Sequence, residues 1–152
     1  MNKVKIAIVG CGDIAGFTAI FMRLNRNITL TACCDVSRER ASAFAKRHGI
    51  PQIFTDYHDM LANAALDAVY LAVPHNLHFE MMKQAIAAGK HIFVEKPVTR
   101  TYTEGLEIIQ MAEKTGVKLA VNYQYRYDAA CFRLARAVQN GQIGEEIGRA
   151  HV

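Results

Sequence analysis

The chain has 152 residues, 51% of them hydrophobic, which is enough for one well-packed domain and short for two of ordinary size. Its net charge of +4 comes from 18 basic and 14 acidic residues scattered along the chain, so the clustered basic face of a nucleic-acid binder is not expected. No stretch has the length of a membrane span, the first residues lack a signal-peptide pattern, and Cys11, Cys33, Cys34 and Cys131 show neither C-x-x-C spacing nor a disulfide framework, so a soluble cytoplasmic protein with free thiols is expected.

The apolar run from Lys3 to Val9 predicts a first strand, followed by a glycine turn at Gly10-Cys11-Gly12 and a helix from Asp13 to Leu24. In that helix Ile14, Phe17, Phe21 and Leu24 recur at helical spacing, which makes them its apolar stripe. Ile28 to Cys34 predicts a second strand, and Ser37 is placed to cap a helix that runs to His48 and stops at Gly49. Pro51 to Phe54 predicts a short third strand, with Asp56 as the cap of a helix carrying Tyr57, Met60 and Leu61.

Ala68 to Val73 is almost wholly apolar, as a strand covered on both faces must be, and Pro74 ends it. Asn76 is placed to cap a helix from Leu77 to Ala88, with Gly89 as its stop. His91 to Val94 predicts a fifth strand, Thr101 with Glu104 a capping box for a helix to Thr115, and Val117 to Val121 a sixth strand. Six alternations without a hairpin signal predict a doubly wound parallel sheet of βαβ units over residues 1–122. The remainder, 123–152, opens on aromatic and basic residues and continues in a helix from Asp128 to Asn140 and a turn from Gly141 to Gly144.

Gly10-Cys11-Gly12-Asp13-Ile14-Ala15 has the form of a dinucleotide-binding turn. Gly10 permits the bend, Gly12 lets backbone approach a pyrophosphate, Ala15 allows close helix packing, and the helix N-terminus supplies free N–H groups. Asp35 follows the second strand near the offset of about 20 residues where a carboxylate reads ribose hydroxyls. A carboxylate repels a 2′-phosphate, so NAD is favoured over NADP, although Arg38 and Arg40 keep NADP open and Asp35 has the simpler reading of a helix cap. Val73-Pro74-His75-Asn76-Leu77-His78 and Glu95-Lys96-Pro97 lie at strand ends on the ligand-binding edge of such a sheet. His75 and His78 lack a third partner nearby for a metal, and no metal is expected. Lys96 is either a solvated strand end or a lysine able to polarise a substrate oxygen and carry its proton.

Taken in order, Gly10 to Ala15, Asp35, Val73 to His78, Glu95-Lys96-Pro97 and Asn122 to Tyr127 closely resemble the N-terminal half of the Gfo/Idh/MocA family, relatives of glucose-fructose oxidoreductase and inositol dehydrogenase. The resemblance spans essentially the whole chain, with Glu-Lys-Pro its most specific part. It implies a Rossmann fold and NAD(P)-dependent oxidation of a sugar, cyclitol or related polyol.

On the matching positions, the resemblance makes Lys96 the lysine that contacts the substrate hydroxyl, and Glu95 a frame for the nicotinamide side. It gives Val73, Pro74, Asn76 and His78 to the cofactor groove, and Tyr125 and Arg126 to the substrate side. One departure is Val73-Pro74-His75 where the family often has Thr-Pro-Asn.

Such proteins continue into a second α+β domain that binds substrate and usually forms a homo-oligomer, and this sequence ends where that domain is expected to begin. Gly141 to Glu145 reads as the entry into it, and Ile147 to Val152 also reads as the translation of a sequencing adapter, so a truncated, catalytically weak cofactor half is expected. The competing reading is a stand-alone NAD-binding sensor or regulatory module.

Overall fold

The apolar run Val4–Val9 forms strand β1 at the centre of a six-stranded sheet, all of whose pairings are parallel. The computed structural model describes residues 3–144, so Glu145 and the segment Ile147 to Val152 lie outside the described residues. The other strands are β2 (Ile28–Cys34), β3 (Gln52–Phe54), β4 (Ala68–Leu71), β5 (His91–Val94) and β6 (Leu119–Val121), in the spatial order β3-β2-β1-β4-β5-β6. The helices are α1 (Asp13–Leu24), α2 (Arg38–His48), α3 (Tyr57–Asn63), α4 (His75–Ala87) and α5 (Tyr102–Thr115). This is the doubly wound order whose direction reverses between β1 and β4, the position where such sheets open a crevice for ligand.

Local chemistry sets the helix ends. Ser37, Asp56 and Thr101 each accept a backbone N–H in the first turn of the helix they precede, and Thr101 with Glu104 completes the capping box. Gly49 and Gly116 close α2 and α5 in the left-handed conformation. Three ends differ from the sequence reading by two residues. Pro74, not Asn76, precedes α4, so Asn76 lies inside its exposed first turn, and β4 and β6 are each two residues shorter than their apolar runs.

Strand alternation sends Ala7, Val9, Val69, Leu71 and Val94 to one face, packed with Met60, Met82 and Ile108. Ile8, Cys33 and Tyr70 go to the other, under Ala15 and Ala19 of α1 and Phe44 of α2. Here the sequence reading of α1 is corrected. The helix buries Ala15, Ala19 and Met22, while Ile14, Phe17, Phe21 and Leu24 are all more than half exposed. Small residues let α1 approach the sheet closely beside the turn, and the larger stripe is carried to its flank.

The chain divides into two compact units, the first ending at Asn122 and the second beginning at Tyr123. The second unit contains a 3-10 turn over Gln124–Tyr127 and helix α6 (Ala129–Gln139), whose first turn is capped by the Asp128 carboxylate accepting from the N–H groups of Ala130 and Cys131. Among the described residues no helix is long and apolar enough to cross a membrane.

Candidate functional site

The site follows from the sheet register. The residue immediately after each of five strands donates its backbone N–H to the last residue of a neighbouring strand. Asp35 donates to Phe54, Gly10 to Cys34, Ala72 to Val9, Glu95 to Leu71 and Asn122 to Val94, all at 2.8 to 3.2 Å. Asp35, Gly10, Ala72, Glu95 and Asn122 therefore stand in one row along the C-terminal edge of the sheet.

Next to Asp35 in the row, Gly10 has φ of +86°, and a Cβ there would lie 2.3 Å from the Ala72 carbonyl oxygen. The fold itself excludes a side chain at this position. Gly12 differs, because a Cβ built on it meets no atom within 4 Å. As the N-cap of α1 it offers no side chain to the first-turn N–H groups, which leaves them free for an anion. Asp13 and Ile14 follow in that exposed first turn.

Beside the turn, Asp35 is held by four donors. Oδ2 accepts from Cys11 N at 3.0 Å, and Oδ1 from Ser37 N at 2.8 Å and from Arg40 Nε and Nη2 at 3.1 and 2.8 Å. Burial works against its ionisation, but the Arg40 guanidinium and the two backbone N–H groups outweigh it and hold the carboxyl below its ordinary value. Arg38, the first residue of α2, is exposed and makes no hydrogen bond or ion pair among the described residues; the partner of Asp35 is Arg40. A hydrogen bond with Cys33, with burial adding to it, raises the Cys11 thiol, and burial raises the Cys34 thiol to about 12, so both remain neutral SH groups.

A groove of about 430 Å³ runs along this part of the edge, lined by Gly10, Gly12, Asp35 and Arg40 on one side and by Val73, Pro74 and Leu77 on the other. Asn76 and His78 do not line it. His78 is wholly buried in α4, with Nδ1 2.9 Å from the Pro97 carbonyl and Nε2 3.1 Å from the Val73 carbonyl. It thus ties the end of β4 to the turn that carries Lys96, and its edge-on neighbour His75 is exposed.

The other end of the row is built around Glu95, which is 6% exposed. Its Oε1 accepts from the Tyr70 hydroxyl at 2.5 Å and from Asn122 Nδ2 at 2.6 Å. Lys96 and Pro97 follow, joined by a cis peptide bond; Lys96 is exposed, with no salt bridge among the described residues. Among the described residues no group of three His, Cys, Asp or Glu side chains is placed to hold a metal. Tyr125 and Arg126 lie together in the 3-10 turn of the second unit and are exposed.

Sequence reading missed Tyr70 and Thr18. A phenol inside an otherwise apolar buried strand needs a polar partner, which was the available signal, but nothing local says that the partner is Glu95 on the next strand.

Residues 4–123 match the model of an oxidoreductase family described by its NAD-binding Rossmann fold. The chain is 31% identical over 145 residues to the D-glucoside 3-dehydrogenase of Escherichia coli, a match covering 95% of this chain and 41% of that protein. Its fold is similar to that of scyllo-inositol dehydrogenase from Lactobacillus casei with bound NAD(H) and scyllo-inositol, with a TM-score of 0.86, 27% identity, and coverage of 95% and 43% of the two chains. It is also similar to a mutant 3-ketoreductase from Actinomadura kijaniata in complex with TDP-benzene and NADP, with a TM-score of 0.88, 28% identity, and coverage of 95% and 46%. The chain spans less than half the length of each of these relatives.

Proposed function

The chain belongs to the Gfo/Idh/MocA oxidoreductase family, and from that premise we propose that it is the cofactor-binding part of a dehydrogenase acting on a sugar, cyclitol or related polyol. The observation that carries the dinucleotide reading is the contrast between the two glycines. Gly10 is required by the fold, whereas Gly12 leaves open space in front of uncapped helix N–H groups, as a pyrophosphate needs. When bound, the nicotinamide supplies the acceptor for a hydride from a substrate C–H.

The remaining roles belong to the chain. Asp35 accepts hydrogen bonds from the adenosine ribose hydroxyls, and Val73, Pro74 and Leu77 form the apolar wall opposite. This favours NAD, with Arg40 the residue through which NADP would be accommodated and Arg38 too far out to pair with Asp35. Lys96, exposed at the end of the row, receives the proton of the substrate hydroxyl as its carbon becomes a carbonyl. Glu95 frames the nicotinamide side, Asn76 lies on the rim, and His78 acts through the turn it holds. Tyr125 and Arg126 belong on the substrate side. Glucoside and inositol dehydrogenases among the relatives support the substrate class. Turnover requires the further length those relatives carry, and the homo-oligomer belongs to that longer protein.

Calorimetric titration of the 152-residue chain with NADH and NADPH tests the reading. NADH is expected to bind, and more tightly than NADPH. Gly12→Ala is expected to abolish binding with an unchanged Tm, whereas Gly10→Ala is expected to cost about 4 kcal/mol or more of stability. Binding that survives Gly12→Ala would refute the assignment of the groove, and equal affinities would remove the preference for NAD.

A further inference from the structure

Between α1 and the Glu95 end of the row runs a chain of side-chain hydrogen bonds with a fixed direction. Tyr70, Phe93, Glu95 and Asn122 share one face of the sheet, because Phe93 is the register partner of both Tyr70 and Ala120, and Glu95 and Asn122 each lie two residues further along. The Tyr70 and Phe93 rings stack at 5.1 Å, which fixes the phenol in place. Burial, with the hydrogen bond to Glu95 adding to it, pushes the Tyr70 hydroxyl well above its ordinary value, so it remains a donor to Oε1. Its own oxygen is then the acceptor for Thr18, whose hydroxyl lies 3.1 Å away on α1, one turn beyond the glycine turn.

Every donor in this chain points towards one atom. Thr18 donates to Tyr70, Tyr70 to Glu95 Oε1, and Asn122 to the same Oε1. Oε2 receives no hydrogen bond from the described residues. Nor is it among the polar side-chain atoms sealed from solvent without a partner, which in the described residues are Thr31 Oγ1 and the two His48 ring nitrogens. The carboxylate is thus divided, with one oxygen committed to the protein and the other left for whatever occupies the edge beside Lys96.

We infer that Tyr70 is a positioning residue which, steered by Thr18 and assisted by Asn122, locks Glu95 so that Oε2 is presented as a hydrogen-bond acceptor to the nicotinamide half of the dinucleotide. The inference rests on the dinucleotide reading and extends it. Glu95 does not move a proton in this arrangement; it selects, by accepting, the amide N–H of the nicotinamide, the group that ADP-ribose lacks while keeping the ribose. The polarity is testable, because in Glu95→Gln the amide oxygen can stay where Oε1 was and satisfy Tyr70 and Asn122, while an NH₂ donor replaces the acceptor.

The experiment compares NADH with ADP-ribose, which has the adenosine, both phosphates and a ribose but lacks the nicotinamide, on the 152-residue chain and its variants. Tyr70→Phe and Glu95→Gln are each expected to weaken NADH about tenfold, the effect of losing one charge-assisted hydrogen bond, while ADP-ribose changes less than about twofold. Tyr70→Phe/Glu95→Gln is expected to be no weaker for NADH than the weaker single variant, because both changes act through one carboxylate. Retained ADP-ribose affinity also serves as the control for folding.

Three results would overturn the inference. NADH and ADP-ribose weakened equally would make Tyr70 merely structural, additive losses would separate Tyr70 from Glu95, and unchanged NADH affinity in all variants would leave Oε2 without a role. A wild-type chain that binds neither ligand would remove the dinucleotide reading, and this inference with it. Binding of both ligands unaltered by any variant would remove only the inference.

Discussion

Asp35 and Glu95 occupy equivalent places, each the first residue after a strand and each in the same row, yet they are held in opposite ways. Asp35 is held by a cation and backbone N–H groups at the rim of the groove, through an Arg40 side chain that is 59% exposed. Glu95 is enclosed and held by two neutral side-chain donors on adjoining strands. The Asp35 carboxylate is itself only 8% exposed, but its Arg40 partner is solvated, and that half of the pair is worth little to the fold and is readily exchanged for ligand contacts. A buried carboxylate with committed partners is part of the core and can be altered only together with them. The adenosine end of the groove is therefore the adjustable one, and the other end is rigid.

Substitution tests this difference most directly. Glu95→Ala strands the Tyr70 hydroxyl and the Asn122 amide and leaves a void, so it is expected to cost about 3 kcal/mol in urea unfolding. Asp35→Ala, whose lost partners can turn to water, is expected to cost about 1 kcal/mol. Equal costs would break the contrast.

His48 shows what a buried polar group does when it has no partner. It is 3% exposed, packs 4.4 Å from the Phe44 ring, and neither ring nitrogen makes a hydrogen bond. Burial, with Arg23 and Arg47 nearby, lowers its affinity for a proton below the ordinary histidine value. The unfolded chain then binds the proton more readily, so stability falls as pH drops below about 6.5 towards the lower folded value. His48→Phe is expected to add about 1 kcal/mol at neutral pH and to flatten that part of the stability profile. Destabilisation by this change would show that the nitrogens are paired in solution.

The smallest expected effect is at the rim. Arg40→Ala should leave stability at pH 7 nearly unchanged in urea unfolding, because its guanidinium is solvated. It removes the main force depressing the Asp35 carboxyl, so the stability that Asp35 supplies above its unfolded value of about 3.9, and loses as pH falls through its lower folded value, should shrink. A carboxyl titration followed by NMR in the acid range checks this, and an unmoved Asp35 would sharpen the role of the Cys11 and Ser37 N–H groups instead.

The element order was legible in the sequence because its signals are local: apolar runs, caps and stop glycines. The same holds for Gly10, Asp35 and Glu95, since each directly follows a run that ends cleanly. What failed was any choice between two signals of the same kind. In α1 both the alanine stripe and the stripe of Ile14, Phe17, Phe21 and Leu24 have helical period, and only the closeness of sheet and helix decides for the alanines. Arg38 and Arg40 are equally basic, and the turn through Ser37 decides which one meets Asp35. Tyr70 carries no local sign of its role, because its partner lies 25 residues away on another strand.

The row along the sheet edge also bears on which length changes the chain can accept. A parallel strand displaced by one residue moves its end by about 3.3 Å and turns its buried side chains to the opposite face. An insertion within β1, β2 or β5 would therefore displace a glycine or a carboxylate and unpack the core in the same step. Added residues in the connections at the far edge, such as the one between α3 and β4, would leave the row in place. Among homologous sequences, length variation should accordingly gather on that far side, while the spacing from each strand to its row residue stays constant.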